Sequence, residues 1–432
     1  MLFGHPKGLF VLFLTEMWER FGFYGMRGLL VLYMITTSQD GGLGWSKGDA
    51  LSMYGTYLAA AWLMPLIGGV LADRWIGPRR AIIFGGIMMS AGFFLLTVHD
   101  LTTFYVGLGL LAIGVGFFKP CVTTIVGDLY EKDDPRRDGG FSLFYMGINT
   151  GAVLAGVTCG SLAVNYGYSY GFAAAGFGMI LGLVVFIFGK KHLGQAGLLA
   201  KKTEASELAR KQPLSAGEKS RVWVVIGLSL FIVLFTAAYE QAGGLINIYA
   251  HEYTNRTVGG WEVPTAWFQS LNPFFIIMFA PVLSALWMKL GKKDPSVGSK
   301  LAIGFGLTSL AFVMMVCASV GQGADATVKA SMGWLICFNI LQTIGELCVY
   351  PVIWSNVTKL APKHLVATLM AVSLAAIGLG SKVAGMIGSY IEQSGPQQIF
   401  MGLVISMGLF AVVAFFFGRK LEKVRKTADS LA

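Results

Sequence analysis

Twelve apolar stretches run along the chain, at about 8–36, 47–72, 81–98, 101–127, 140–164, 169–189, 222–250, 263–288, 301–320, 330–358, 364–391 and 397–418. Each approaches or exceeds the roughly 20 residues that an α-helix needs to cross a bilayer. Segments 171–189, 301–320 and 399–417 carry no charge. The pattern predicts an all-α polytopic membrane protein with twelve transmembrane helices. Six stretches precede the longest polar segment, 190–221, and six follow it. Two six-helix bundles are therefore expected, 1–189 and 222–432, joined by a cytoplasmic linker at 190–221. Such halves are related by a pseudo-twofold along the membrane normal, with a central cavity between them. Ser215 and Glu218 have capping-box spacing and are expected to start the helix that becomes the seventh span.

One stretch breaks the apolar pattern. Residues 15–27, TEMWERFGFYGMR, place Glu16, Glu19, Arg20 and Arg27 inside the first span. A charge at the centre of a membrane helix costs roughly 2.5–3.5 kcal/mol on insertion scales. Four in one span exceed what anchorage requires. On a helix Glu16, Arg20, Tyr24 and Arg27 form one stripe, and Glu19, Phe23 and Arg27 an overlapping one. The first helix is expected to line a water-filled cavity where charge is moved or bound.

Composition agrees with the pattern. The 432 residues are 55% hydrophobic and 13% charged, against about 25% charged in soluble proteins. The 57 glycines suit close helix packing in lipid. Five cysteines fall within apolar spans and read as small packing residues rather than as disulfide or metal ligands. No cleavable signal peptide is expected, because the first apolar run is charged and lacks a small-residue cleavage motif. The net charge of +10 is topological. An even number of spans puts both termini on one side, and 26 of the 33 basic residues fall on that side, against three on the other: Lys47, Arg256 and Lys329. The positive-inside rule then places both termini in the cytoplasm of a multi-pass inner (plasma) membrane protein. Nucleic acid is not an expected partner. The bilayer is.

Within the spans, Arg20, Arg27, Lys119 and Lys382 balance Glu16, Glu19, Glu240 and Glu346. Balanced buried charge suggests pairing across helices. Lys119 precedes Pro120, which bends the helix. Either a snorkelling lysine or a deep functional one fits that position. Asn149 is a buried amide with hydrogen bonds to satisfy, whether for packing or for a ligand. Polar residues recur beside prolines: Lys119–Pro120, Asn272–Pro273, and Glu346 five residues before Pro351. Broken helices supply bending points and free backbone groups. Asp73 is expected to pair with a basic group or to cap a neighbouring helix. Lys382 sits among Gly and Ala, at either a cavity edge or a helix interface. His5, His99, His192, His251 and His364 fall at loops or span ends, so protons crossing here would be carried by buried carboxylates. No metal-ligand cluster, catalytic triad or phosphate loop is read from the sequence, and no enzyme is expected.

These residues resemble known motifs. Residues 69–80, GVLADRWIGPRR, resemble the loop signature between spans two and three of the major facilitator superfamily. EMWERFGFYG, 16–25, resembles the ExxERFxYYG signature of that superfamily's proton-dependent oligopeptide transporters, and FYMGINTG, 144–151, their span-five signature. GFFKP, YEQAG, SLNPFFIIMFAP and GELCVYP follow in the expected order, so the resemblance covers nearly the whole chain. It implies the major facilitator fold and symport of di- and tripeptides by alternating access, driven by a proton gradient with no cofactor. A monomer is expected, although the sequence itself does not reveal the oligomeric state. The resemblance implies proton coupling for Glu16, Glu19, Arg20 and Glu240. It implies substrate binding for Arg27, Lys119, Asn149, Asn272 and Glu346, with Tyr24 and Trp62 shaping the pocket. It implies gating for Arg27, Glu240, Lys119 and Glu346.

The chain departs from the family pattern in places. Phe23 replaces a tyrosine, and Trp62 stands where a tyrosine is usual. Gly55 stands where animal members have a histidine. Ser373 stands where many relatives have a tryptophan, which leads to the expectation of a wider side-chain pocket. Residues 190–221 are too few for the two extra helices of many bacterial members. Without substrate, Arg27 is expected to pair with Glu240 and Lys119 with Glu346. The alternative is a related symporter for another small solute: nitrate, a drug or a peptide-like compound. A channel, a nutrient sensor and a membrane enzyme are the competing classes.

Overall fold

The computed structural model describes residues 4–131, 134, 136–199, 215–321, 328–362 and 365–429. Lys132, Lys363 and most of the expected linker, 200–214, lie outside the described residues. The first bundle contains α1 (Lys7–Ile35), α2 (Lys47–Leu71), α3 (Pro78–Leu95), α4 (Leu101–Asp128), α5 (Arg137–Tyr166) and α6 (Tyr168–Gly189). The second contains α7 (Ala216–Tyr239), α8 (Leu245–Glu252), α9 (Leu271–Leu290), α10 (Val297–Gly321), α11 (Gly333–Leu360), α12 (Val366–Ser389) and α13 (Ile391–Asp429). Helices α7 and α8 are two halves of one span, interrupted by a 3-10 turn at Glu240–Ala242. Each bundle thus has six spans among the described residues. Ten spans are long and apolar enough to cross a membrane by composition alone. The other two are α1, interrupted by its charges, and α3, which opens on Pro78, Arg79 and Arg80.

The second bundle begins earlier than residue 222. Ser215 Oγ accepts from Glu218 N at 3.2 Å, while the Glu218 carboxylate accepts from Ser215 N at 2.9 Å. This reciprocal cap starts α7 at Ala216, inside the segment expected to be linker. At the other edge of that segment, Lys190–Leu193 form a 3-10 turn that continues α6. Arg79 ties the chain beyond it to the first bundle, donating to Ala196 O at 2.8 Å and Gly194 O at 2.7 Å. Asp73 does not behave as expected. It lies in a π-helical turn, Ala72–Ile76, is exposed, and makes no ion pair among the described residues.

The halves exchange equivalent contacts. In the first bundle α3 packs on α4 and α6, and α1 on α4 and α5. In the second, α10 packs on α11 and α13, and α7 on α11 and α12. Between bundles, α2 (second span) packs on α12 (fifth span), and α5 (fifth) on α9 (second). This reciprocal pairing is what a pseudo-twofold produces.

The α2–α12 contact is backbone on backbone. A Cβ at Gly55 would lie 2.7 Å from Gly385 Cα and Ser381 O, and one at Gly48 would lie 2.8 Å from Ser389 O. Lys382 resolves to this interface, its Nζ donating to Thr56 Oγ1 at 2.7 Å. Small residues also bring α2 against α4, where a Cβ at Gly68 would come 2.3 Å from Gly116 O. Such approach is the usual device for helix association in lipid, where apolar burial gives no driving force. At the end of the molecule away from the termini, a hairpin pairs Thr257–Val258 with Trp261–Glu262 through Gly259 and Gly260, whose φ angles are 58° and 83°. Two successive positive φ values are the requirement of a tight two-residue hairpin turn.

The glycine contacts can be tested by thermal unfolding in detergent. Gly68→Val is expected to destabilise by about 2–3 kcal/mol, as overpacking does. Gly69→Ala is expected to be near neutral, since its Cβ would sit 3.5 Å from Pro120.

Candidate transport site

A cavity of about 1010 Å³ lies between the bundles. Its lining includes Glu16, Arg20, Tyr24, Arg27, Trp62, Lys119 and Asn149 from the first bundle, and Glu240, Asn272 and Glu346 from the second. Ten of the eleven residues singled out in the sequence therefore share one chamber. Glu19 is the exception. It is fully buried behind the wall and holds the Arg20 guanidinium in a two-point contact, with Nη2 donating to Oε1 at 2.6 Å and Nε donating to Oε2. Glu16 Oε1 lies 3.3 Å from Arg20 Nε, one helical turn away. Its second oxygen, Oε2, is buried with no hydrogen-bond partner among the described residues. Phe23 keeps an aromatic face under Arg20, at 5.0 Å, without a hydroxyl to compete for it.

About two turns further along the same face of α1, Arg27 joins the two bundles. Its Nη2 donates to Glu240 Oε2 at 2.6 Å and its Nε to the Tyr54 hydroxyl at 2.8 Å. The Tyr54 hydroxyl in turn donates to Glu240 Oε2 at 3.4 Å. All three side chains are buried. Glu240 reaches them because the seventh span breaks at that residue. The break needs Gly243, where a Cβ would fall 2.0 Å from Tyr54 Oη and 3.0 Å from Arg27 Nε. Arg27 with Glu240 is the expected pair. Tyr54 is a member that the motifs did not supply, although Tyr54 and Tyr57 lie i, i+3 on one face of α2.

The second expected pair is absent. Lys119 makes no ion pair with Glu346 among the described residues. Its Nζ instead lies 3.4 Å from the centre of the Trp62 ring. Glu346 is oriented by its own bundle, accepting from Asn272 Nδ2 at 2.9 Å. Asn272 also donates to Thr343 Oγ1 at 3.0 Å and accepts from Tyr239 at 3.2 Å. The reason lies in the cavity itself, whose open space stands between the wall carrying Lys119 and the wall carrying Glu346. Asn149 uses Nδ2 on Tyr145 O at 2.9 Å and lines the same space. Ser373 does not widen the pocket. It is fully buried and meets Ser229 Oγ at 2.9 Å on α7. The tryptophan that does line the cavity on this side is Trp354, stacked on Tyr350 at 5.4 Å.

The chamber is closed at one end. Lys47 Nζ bridges to Glu252 at 2.6 Å, and Lys47 N donates to Glu392 Oε1 at 2.9 Å. Asn247 Nδ2 donates to Gly28 O at 3.0 Å, Trp267 Nε1 to Ser161 Oγ at 3.1 Å and Ser270 Oγ to Val153 O at 2.8 Å. Every one of these bonds crosses between bundles. Toward the end that carries the chain termini, the lining instead continues through Thr123, Phe141, Ser142, Ser284 and Trp354. The closing bonds there have no counterpart among the described residues.

A fold of two six-span bundles with opposed charges in a chamber closed at one end defines an alternating-access membrane transporter. The POT family model matches residues 79–209 and 199–401, and the chain belongs to the POT family. It is 37% identical to the uncharacterized transporter YclF of Bacillus subtilis, over 95% of this chain and 92% of that one. It is 34% identical to the peptide transporter YePEPT of Yersinia enterocolitica, covering 90% and 89%. It is 32% identical to the di-/tripeptide transporter of Lactococcus lactis subsp. cremoris, covering 85% and 86%. A crystal structure of a mutant peptide transporter POT in complex with alafosfalin superposes with a TM-score of 0.88 at 34% identity, covering 97% of this chain and 96% of that one. The protein is a transporter, not an enzyme.

The triad of Arg27, Tyr54 and Glu240 behaves as one unit in unfolding measurements. Tyr54→Phe leaves the Arg27 Nε without its acceptor, and a loss of about 1–3 kcal/mol is expected. Gly243→Ala disturbs the same three side chains. The double variant is therefore expected to lose less than the sum of the two single losses, as groups in one network do.

Proposed function

We propose that this chain is a proton-coupled symporter that carries di- and tripeptides across the inner membrane into the cell by alternating access. One observation carries the reading: an ammonium with no ion pair among the described residues, Lys119, and an oriented carboxylate, Glu346, face one cavity from opposite bundles. A peptide is a zwitterion whose charged ends are separated by its backbone. Its carboxylate suits Lys119, helped by Arg27, and its ammonium suits Glu346. Asn149 and Asn272 offer amide groups to the peptide backbone. A ligand bridging both walls draws the bundles together, so binding and closure reinforce each other. The relatives named as peptide transporters support the substrate class. The distribution of basic residues supports cytoplasmic termini. With that orientation, the closed end faces outward and the chamber opens toward the cytoplasm, ready for release.

Proton coupling follows from charge balance. Arg27 is held by Glu240 on the outward side of the chamber. Protonating Glu240 removes its charge, and the guanidinium then seeks another anion: the peptide carboxylate, or the Glu16–Glu19–Arg20 cluster about two turns away along α1. Releasing the Arg27–Glu240 pair unties the outer closure, and restoring it closes the gate again. A membrane potential of 100 mV contributes about 2.3 kcal/mol per charge moved. That concentrates peptide roughly forty- to fiftyfold per proton, since 1.4 kcal/mol is about tenfold.

Uptake of labelled dialanine into proteoliposomes under an imposed proton gradient tests the reading. Accumulation is expected to be competed by tripeptides and not by free alanine. Competition by nitrate, or a current that does not saturate with peptide, would reject it. Glu240→Gln is expected to abolish proton-driven accumulation while peptide exchange without a gradient continues. Unchanged accumulation in that variant would reject the coupling role of Glu240.

A further inference from the structure

We propose that Trp62 is a positioning residue for the Lys119 ammonium, presenting it to the substrate carboxylate by a cation–π contact that leaves the N–H donors turned away from the ring without an oxygen acceptor. The inference rests on the peptide reading above and deepens it. Lys119 Nζ stands 3.4 Å from the centre of the Trp62 ring. Among the described residues it has no hydrogen bond and no ion pair. An ammonium in this setting would normally take a carboxylate or hydroxyl, and Glu16, Glu240 and Glu346 all line the same chamber. The indole face supplies electrostatic attraction instead, and tryptophan is the strongest of the aromatic side chains in this role. The indole has no lone pair in its plane to accept from the ammonium. The N–H turned toward the ring is engaged by its face, and the donors turned away from it stay available to an oxygen acceptor. A hydroxyl at the same position would occupy one of them.

The contact is built by close packing. Gly68 and Gly116 bring α2 and α4 within backbone distance, and a Cβ at Gly116 would lie 2.8 Å from Met64 Cβ. Trp62 stands six residues before Gly68, and Lys119 three residues after Gly116, so one tight crossing fixes both side chains on one wall. Trp62 also touches the other bundle. A Cβ at Gly378 of α12 would lie 3.3 Å from Trp62 Cβ. The ring is therefore held between Lys119 and the helix that moves against α2 when the bundles rock. Glu346 belongs to the opposite wall, and the ring keeps Lys119 from crossing to it in the absence of ligand.

Two measurements on the intact transporter test this. Reductive 13C-methylation of lysines gives one NMR signal per residue, with Lys119 assigned by its loss in Lys119→Arg. Ring current is expected to shift that signal upfield in the parent protein and to leave it unshifted in Trp62→Leu. An unshifted parent signal overturns the proposal without bearing on peptide transport. In proteoliposomes, Trp62→Leu is expected to raise KM for dialanine about tenfold, the equivalent of 1.4 kcal/mol, with Vmax within about twofold. Trp62→Phe, which keeps an aromatic face, is expected to recover most of that change. Equal KM in Trp62→Leu and parent, or a Trp62→Phe variant as impaired as Trp62→Leu, overturns the positioning role while parent uptake leaves the peptide reading standing. Absent parent uptake together with a shifted Lys119 signal rejects the peptide reading, and with it the role of the ring in substrate binding.

Discussion

A guanidinium held away from water needs a carboxylate, and here the carboxylate comes from the other half of the molecule. Removing one partner of a buried ion pair costs roughly 3–5 kcal/mol. The bond between Arg27 and Glu240 is therefore a strong constraint on how the halves can sit. Everything around it serves that geometry. The seventh span breaks so that Glu240 can turn inward, Gly243 leaves room for the Tyr54 hydroxyl, and α2 lies close enough to supply that hydroxyl. A charge network of this kind specifies a conformation more than it stabilises a fold.

The two ends of α1 handle charge differently. Near Arg20, all partners come from the same helix, and the two glutamates leave the cluster with one excess negative charge when both are ionised. Near Arg27, the partners come from α2 and from the second bundle. The first arrangement is insensitive to the relative position of the halves, and the second depends on it directly. Glu16, with one carboxylate oxygen unpartnered among the described residues, faces the chamber that separates them. A single helix thus carries both a charge cluster closed on itself and a charge bonded across the two bundles.

Much of this was legible in the sequence. The twelve spans follow from apolar runs, and the charged stripe of α1 follows from helical spacing. Ten of the eleven nominated residues meet in one cavity because charges inside a bilayer have few other places to go. The misses have a common cause. Tyr54, Lys119 with Trp62, and Ser373 depend on how helices rotate against one another, which a single-sequence pattern does not encode. Lys119 and Glu346 do not pair because the open space of the chamber stands between their two walls. The break at Glu240 was also hidden, because its apolar flanks read as one uninterrupted span. Gly243 and Gly244 are its only local mark. The capping box at Ser215 was local chemistry, and local chemistry was read correctly.

The glycine seam between α2 and α12 has a mechanical consequence. Helices that interlock through large side chains must lift those side chains over one another to tilt. Gly48, Gly55 and Gly385 leave two backbones touching along much of the seam, with few side chains to disengage. The seam can act as a smooth axle. Rotation about it keeps the same surfaces in contact at both ends of the stroke, so little surface is exposed to lipid or water in between.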